Sequence, residues 1–244
     1  MTAGSDIFAT IKRRCSVRTY TDTMPSADVL TAVCKGRNCL HPLDVAVVAE
    51  SHVASYGFIK GRPGYIAVIG SDAVQAGLEG EQAVLDLTAQ DYGTCWLGGT
   101  FKRDVVRRAL PLGDDVDIHA VIAVGTPTGR RRLMEHIIRL SVNENSRKPV
   151  GNFILDGTPD ASMADALEAV RLAPSARNCQ PWRFVFPGDD TVALYVDPAD
   201  KYALLDGGIA AAHFLAMRPD YMRGAAPAPR KGLISVATFI PRKD

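Results

Sequence analysis

The chain has 244 residues, enough to bury a sizeable core in one large domain or two small ones. Its 28 Lys and Arg against 27 Asp and Glu leave a net charge of +1, which exerts no general pull toward nucleic acid or anionic membrane. At 47% hydrophobic and 23% charged residues the composition is that of a soluble globular protein, and the longest apolar runs, "VAVVA" and "AVIAVG", fall far short of the roughly 20 residues of a membrane helix.

The opening stretch, "MTAGSDIFATIKRR", has no cationic head followed by an apolar run, so no signal peptide is expected. Ser5 is placed to cap a short helix carrying Ile7, Phe8 and Ile11, which runs into the basic "KRRCSVR". A second helix over about 26–34 sets Leu30, Val33 and Cys34 on one face. "DVAVVAE" and "GYIAVIG" read as buried strands, from their β-branched runs and, for the second, its glycine boundaries. A long helix over 76–92 has Leu78, Val84, Leu85 and Ala89 among its apolar positions. "GTCWLGGT" breaks it, "RDVVRRAL" gives a short helix and "DIHAVIAVG" a central strand. "GTPTGRRR" and "NENSRKPVG" read as loops. From Ser162 the pattern restarts: Ser162 with Asp165 has the spacing of a capping box, ahead of a stripe of Met163, Ala166, Leu167 and Val170. Five cysteines, at 15, 34, 39, 95 and 179, form no CxxC pair and are odd in number. Reduced thiols in a cytoplasmic protein fit them better than a disulfide framework, and the five histidines lack metal-ligand spacing with them.

The restart echoes the first half. Displaced by 140 residues, "VCKGRNC" (33–39) lies over "APSARNC" (173–179), and close behind it "PLDVAV" lies over "PWRFVF". Displaced by 127, "LEGEQAVLDLTA" (78–89) lies over "LDGGIAAAHFLA" (205–216). The matches keep their order, helix before turn before strand before second helix, as an internal duplication would. Each unit exceeds 80 residues, too long for a solenoid repeat.

Three stretches have chemistry to offer. In "KRRCSVRTY", Arg14, Ser16 and Arg18 alternate, so an extended segment points them the same way. Two guanidiniums flanking a hydroxyl suit a phosphate; a solvated, basic helix end is the plainer reading. In "GTCWLGG", Gly98 and Gly99 let the backbone approach a flat ligand, or else make a helix-ending turn, and Trp96 reads as core. The basic loop "SRKP" reaches an anion or stays solvated. In "APSARNCQPW", Pro174 and Ser175 fix a turn, Asn178 and Gln180 each bring a donor and an acceptor, and Trp182 anchors the turn. A purely structural turn there leaves these polar groups to be satisfied at a strand end.

With "IKRRCSVRTY", "APSARNCQPWRF" and "YGTCWLGG" the chain resembles the FMN-dependent nitroreductase family, over most of its length. The resemblance implies an α+β, nitroreductase-like fold; members are usually domain-interlocked homodimers with FMN at the subunit interface. It implies that Arg14, Ser16 and Arg18 hold the FMN phosphate, helped by Arg147 from the "SRKP" loop. It implies that Trp96, Leu97, Gly98 and Gly99 line the isoalloxazine, the Gly98 amide donating to flavin N5. Pro174, Ser175, Ala176 and Asn178 would contact the flavin from its other side.

The order of the motifs departs from the family. The Pro-Ser-Asn-Gln stretch ordinarily follows the Arg-Ser-Arg stretch within a few dozen residues; here "CKGRNCLHPLD" holds that place. The good copy lies downstream, in a unit with no Arg-Ser-Arg and with "DYMRGAA" where "WLGG" belongs. The chain is therefore similar to a single-chain, pseudo-dimeric branch: two fused half-copies around central mixed sheets, residues 1–155 keeping the phosphate grip and 156–244 keeping the turn. The implied activity passes a hydride from NAD(P)H through the flavin to a nitroaromatic, quinone or similar small molecule, with no side chain as acid, base or nucleophile. One FMN per chain is expected, in a cytoplasmic protein that needs no partner to bind it, further self-association remaining open. The alternatives are a non-turnover flavin store or sensor, a cofactor-free structural protein, and a flavin-dependent reaction on a special substrate such as dehalogenation or ring cleavage.

Overall fold

The computed structural model describes residues 3–50, 53–55, 57–110, 116–128, 147–198 and 201–243. The chain divides into two compact units: Arg13–Asn145, here the N-unit, and Met1–Lys12 with Ser146–Asp244, here the C-unit. This differs from a division at 155/156, because the residues just before that point are bonded into the C-unit. Lys148 N–H donates to Gln180 Oε1 at 3.1 Å, and strand β5 (Ile154–Asp156) pairs in parallel with β6 (Trp182–Val185).

Helix α1 (Ala3–Arg13) begins ahead of the expected cap at Ser5. In the N-unit, α2 (Ala27–Cys34) buries Leu30, Val33 and Cys34, the face its pattern predicts. Burial pushes the Cys34 thiol up to about 12, although nearby Arg37 pulls it down, so it behaves as an apolar core group. Strand β1 (Leu40–Pro42) follows, and then the first correction: "DVAVVAE" forms helix α3 (Val45–Glu50), not a strand. The Asp44 carboxylate accepts the N–H groups of Ala46 and Val47 at 2.8 and 3.3 Å, an N-cap that outweighs the β-branched run. Strand β2 (Gly64–Ile69) leads to α4 (Ala73–Ala89), capped by Asp72 through the N–H groups of Val74 and Gln75. "GTCWL", expected only as a break, is strand β3 (Gly93–Leu97); the left-handed residue that ends the preceding helix is Asp91, at φ 63°. Helix α5 (Arg103–Ala109) and strand β4 (Ile118–Gly125) complete the unit. Its sheet runs β1-β2-β4-β3, antiparallel throughout, with β4 central as expected. Of "GTPTGRRR" the residues from 129 on, and of "NENSRKPVG" those up to 146, lie outside the described residues.

In the C-unit, the chain enters helix α6 (Ala164–Arg171) through a 3-10 turn capped by Asp160, not Ser162. Met163, Ala166, Leu167 and Val170 are all buried, as their stripe requires. After β6 come β7 (Val192–Val196), α7 (Ala203–Met217), β8 (Tyr221–Arg223) and β9 (Ile234–Pro241). The sheet order is β5-β6-β7-β9-β8, antiparallel except for β5, hence mixed. Phe214 stacks on Phe239 with ring centroids 4.4 Å apart, and Trp182 meets Phe153 edge-on at 5.8 Å.

With β5 and the short helices α3 and α5 set aside, the two units share one plan, helix-strand-strand-helix-strand-strand, with the last two strands interchanged in the sheet. Register follows: Tyr65–Ala123, Ile66–Ile122 and Ala67–Val121 in one sheet correspond to Val192–Phe239, Ala193–Thr238 and Leu194–Ala237 in the other. The displacement of 127 carries β2, α4 and β3 onto β7, α7 and β8. Overlaying "PLDVAV" on "PWRFVF" does not hold as strand on strand, since the counterpart of β6 is the shorter β1. Among the described residues no helix is long and apolar enough to cross a membrane.

Candidate functional site

In the N-unit the Arg14–Tyr20 segment is extended and laid against β3. Val17 N–H donates to Thr94 O at 2.8 Å, and Ser16 bridges Thr94 in parallel. Alternation sends Cys15 and Val17 toward the apolar core and leaves Arg14, Ser16 and Arg18 on the other side. Gly93 makes the approach possible: a Cβ there would stand 2.8 Å from Val17 Cγ2 and 2.9 Å from Pro127 Cγ.

The three polar residues differ in setting. Arg18 is exposed, its guanidinium 4.9 Å above the Phe58 ring, with Lys60 N–H on its carbonyl at 2.9 Å. Ser16 is half-buried. Arg14 is only 8% exposed, and its Nε lies 3.9 Å from Oε1 of Glu81, a carboxylate with no exposure at all. The other oxygen of Glu81 accepts the Trp96 indole N–H at 2.8 Å. One buried carboxylate on α4 thus ties the Arg-Ser-Arg segment to the "WLGG" strand, and removing it would strand both partners. The neighbouring Gly80 seats the indole, since a Cβ would fall 2.4 Å from Trp96 Cη2. Trp96 therefore packs on α4 while staying half-buried. Leu97 is buried, Gly98 half-buried and Gly99 exposed. Neither glycine has a positive φ, so no tight turn demands them; what they leave is uncovered backbone at the strand end.

In the C-unit the Pro174–Gln180 turn holds three non-glycine residues in the left-handed region: Arg177 at φ 51°, Asn178 at 57° and Gln180 at 47°. Each costs about 1–3 kcal/mol, and such outliers persist only where the surroundings over-determine them. Ser175 Oγ accepts Gln180 N–H at 3.0 Å. The Gln180 amide is fully buried: its Nε2 donates to the backbone and side-chain oxygens of Asn178 at 3.2 and 3.3 Å. Lys148 Nζ donates to Cys179 O at 2.7 Å and to Gln180 O at 3.3 Å. Arg147 Nη1 donates to Arg171 O at 3.0 Å and to Ala173 O. The "SRKP" strap thereby clasps the turn on both sides, and the guanidinium assigned to phosphate by resemblance spends one nitrogen on the carbonyls that end α6. From α7, both oxygens of the Asp206 carboxylate, 3% exposed, lie 3.1 Å from Ala176 N, whose N–H they share. Pro174, Ser175 and Ala176 are half-buried or buried within this clasp, and Trp182 is fully buried behind it.

Arg14, Ser16 and Arg18 thus gather with Trp96, Leu97, Gly98 and Gly99 in one unit, and Arg147 with Pro174, Ser175, Ala176 and Asn178 in the other. Sequence reading missed Glu81, Lys148 and Asp206, which act through contacts distant in the chain. A signal was present for two of them: Lys148 stands in the quoted "SRKP", and "LEGEQ" over "LDGGI" puts an acidic residue at the same place in both stretches.

The family model described as "Putative TM nitroreductase" matches residues 6–218. The crystal structure of a "putative nitroreductase" from Thermotoga maritima MSB8 superposes with a TM-score of 0.63 at 22% identity, over 96% of this chain and 91% of that one. A nitroreductase with bound FMN from Desulfitobacterium hafniense DCB-2 gives a TM-score of 0.38 at 16% identity, over 50% of this chain and 89% of its own. A nitroreductase family protein from Clostridium novyi NT gives 0.41 at 17% identity, over 51% and 86%. No curated protein matches the chain.

Proposed function

The chain belongs to the nitroreductase family whose model spans it, a family of oxidoreductases, and from that premise we propose that it is an FMN enzyme passing hydride from NAD(P)H to a nitroaromatic, quinone or similar electron-poor small molecule. The observation that carries this reading is the docking of Arg14, Ser16 and Arg18 along β3, beside the bare backbone of Gly98 and Gly99. A cation-hydroxyl-cation row beside an uncovered strand end fits a planar ligand with a phosphate tail. The buried Arg14, already compensated by Glu81, supplies fixed charge that needs no reorganisation when an anion arrives.

When bound, FMN supplies the two-electron chemistry; the chain binds, orients and polarises it. Arg14, Ser16 and Arg18 would hold the phosphate, with Arg147 assisting. Leu97, Gly98 and Gly99 would line the ring, the Gly98 N–H stabilising negative charge on the reduced flavin; Trp96 would contribute backbone, its indole being held by Glu81. Pro174, Ser175, Ala176 and Asn178 would also contact the ring, on a turn pre-shaped by its left-handed residues. No side chain serves as nucleophile, acid or base.

The shared plan and register of the two units support two fused half-copies, one retaining the phosphate grip and the other the turn. One FMN per chain follows, in a cytoplasmic pseudo-dimeric monomer. The test is titration of apo-protein with FMN, followed by anaerobic bleaching with NADH or NADPH. The expected result is saturation at one per chain and bleaching by a nicotinamide donor. Saturation at two per chain contradicts the split site; binding without bleaching marks a store or sensor. Arg18→Ala removes a charge-assisted contact of roughly 1.5–3 kcal/mol and should weaken FMN accordingly, while Arg14→Ala also removes the cation paired with the buried Glu81.

A further inference from the structure

The same displacement that superposes the sheets brings Asp206 onto Glu79. Both are buried, at 3% and 8% exposure, and both accept a backbone N–H from a loop after a helix, Asp206 from the one that follows α6 and Glu79 from the one that follows α2. Asp206 takes the N–H of Ala176 with both oxygens at 3.1 Å. Glu79 Oε2 takes the N–H of Cys39 at 2.8 Å, while Oε1 accepts the Gln75 side chain at 2.8 Å. Each carboxylate is followed by a glycine, Gly207 or Gly80, at which a Cβ would strike the sheet side chains: Val236 Cγ2 at 2.9 Å, Trp96 Cη2 at 2.4 Å. One device recurs: a long helix packed tightly on its sheet holds a carboxylate against a loop.

The two loops are not equivalent. "PSARNCQ" carries the Pro-Ser pair, the Gln and three left-handed residues; "KGRNCLH" has neither the Pro-Ser nor the Gln, and its left-handed position is a glycine, Gly36 at φ 76°. We infer that Asp206 is the positioning residue of the flavin-contacting turn, and that Glu79 does the same for a loop with no ligand to serve. The inference rests on the FMN reading above. Ala176 is the residue after Ser175 and opens the strained run, so an acceptor fixed on its N–H sets the direction in which Ser175 and Asn178 are presented.

The equivalent residue is an internal control. Asp206→Ala, Asp206→Asn and Glu79→Ala are compared with the parent chain by FMN titration of apo-protein, by thermal midpoint without FMN, and by amide hydrogen exchange over 174–182. Both alanine variants should lower the midpoint. Only Asp206→Ala should weaken FMN, by about tenfold or more, the value of a hydrogen bond to a charged group; Glu79→Ala should stay within about twofold, carrying no flavin contact. Asp206→Asn keeps an acceptor oxygen and the side-chain volume, so it should regain most of the affinity and serves where the alanine variant does not fold. Exchange over 174–182 should rise in Asp206→Ala and not in Glu79→Ala. Equal loss of FMN affinity in both, or full affinity and unchanged exchange in Asp206→Ala, overturns the inference. A parent chain that takes up no FMN overturns the functional reading instead, and exchange still decides whether Asp206 holds the turn.

Discussion

In the N-unit α4 carries Glu79, Gly80 and Glu81; in the C-unit the matching α7 carries Asp206, Gly207 and Gly208. The first two positions agree because they serve what the units share: an acceptor for a loop N–H and a bare Cα where helix meets sheet. The third differs because its partners differ. Trp96 and Arg14 exist only in the N-unit; the place of Trp96 is taken by Arg223, and no Arg-Ser-Arg segment precedes the C-unit sheet. Backbone plan and register thus agree between the units where apolar pattern and close packing require it, while side-chain networks differ where their members differ.

The sharpest way to break that comparison is at Glu81. Glu81→Leu leaves the Trp96 indole N–H and the Arg14 guanidinium facing an apolar group, and loss of one partner of a buried ion pair costs about 3–5 kcal/mol. Denaturant unfolding should show a loss of that size, large against the ordinary stability of a domain. Glu81→Gln keeps an acceptor for the indole and should lose less. If Glu81→Leu unfolds at the parental midpoint, Glu81 does not tie the two motifs together.

A smaller effect is expected where the Arg-Ser-Arg segment meets its strand. Gly93→Ala places a methyl 2.8 Å from Val17 Cγ2, and relief requires the segment to move off β3. Overpacking of this kind costs about 1–3 kcal/mol, and FMN affinity should fall with it. The corresponding C-unit residue is Asp220, whose ion pair with Arg218 is half-exposed; Asp220→Ala should cost at most about 1 kcal/mol and leave FMN affinity unchanged. Equal flavin retention in Gly93→Ala and the parent would detach the phosphate grip from β3.

The fold was legible where one signal dominates. The buried runs of β2 and β4 and the long apolar pattern of α4 announce themselves, and the likeness of the two units showed through the "LxG" that helix packing requires of both. Helix α3 was not legible as a helix, since "VAVVA" has the composition of a strand and the deciding term, the Asp44 cap, is one local hydrogen-bonding group. Strand β3 was obscured by Gly93, which is there for Val17 to approach, not to turn the chain. Of the candidate site, the residues that would touch a ligand were readable from motif chemistry. Those that hold them, Glu81 15 residues before Trp96 and Asp206 30 after Ala176, were not, because helix, turn and strand must pack before such partners meet.

The smallest difference lies at the entry to the first helix of each plan. Ser26 stands at the N-cap of α2 without a side-chain bond, whereas Asp160, opening the 3-10 turn before α6, accepts Ser162 N–H at 2.6 Å. The Ser162 hydroxyl first, then its backbone N–H, hold the Asp160 carboxyl below the 3.8 of a free aspartate. A carboxyl depressed in the folded state stabilises above its unfolded value and loses that contribution as pH falls through the folded one. Asp160→Ala should therefore lower the thermal midpoint slightly at neutral pH, and the gap from the parent should narrow below pH 3.8. Ser26→Ala should leave the midpoint unmoved at either pH. A gap for Asp160→Ala that stays constant into acid would mean that its side chain acts through packing, and that the two helices are entered by the same physics after all.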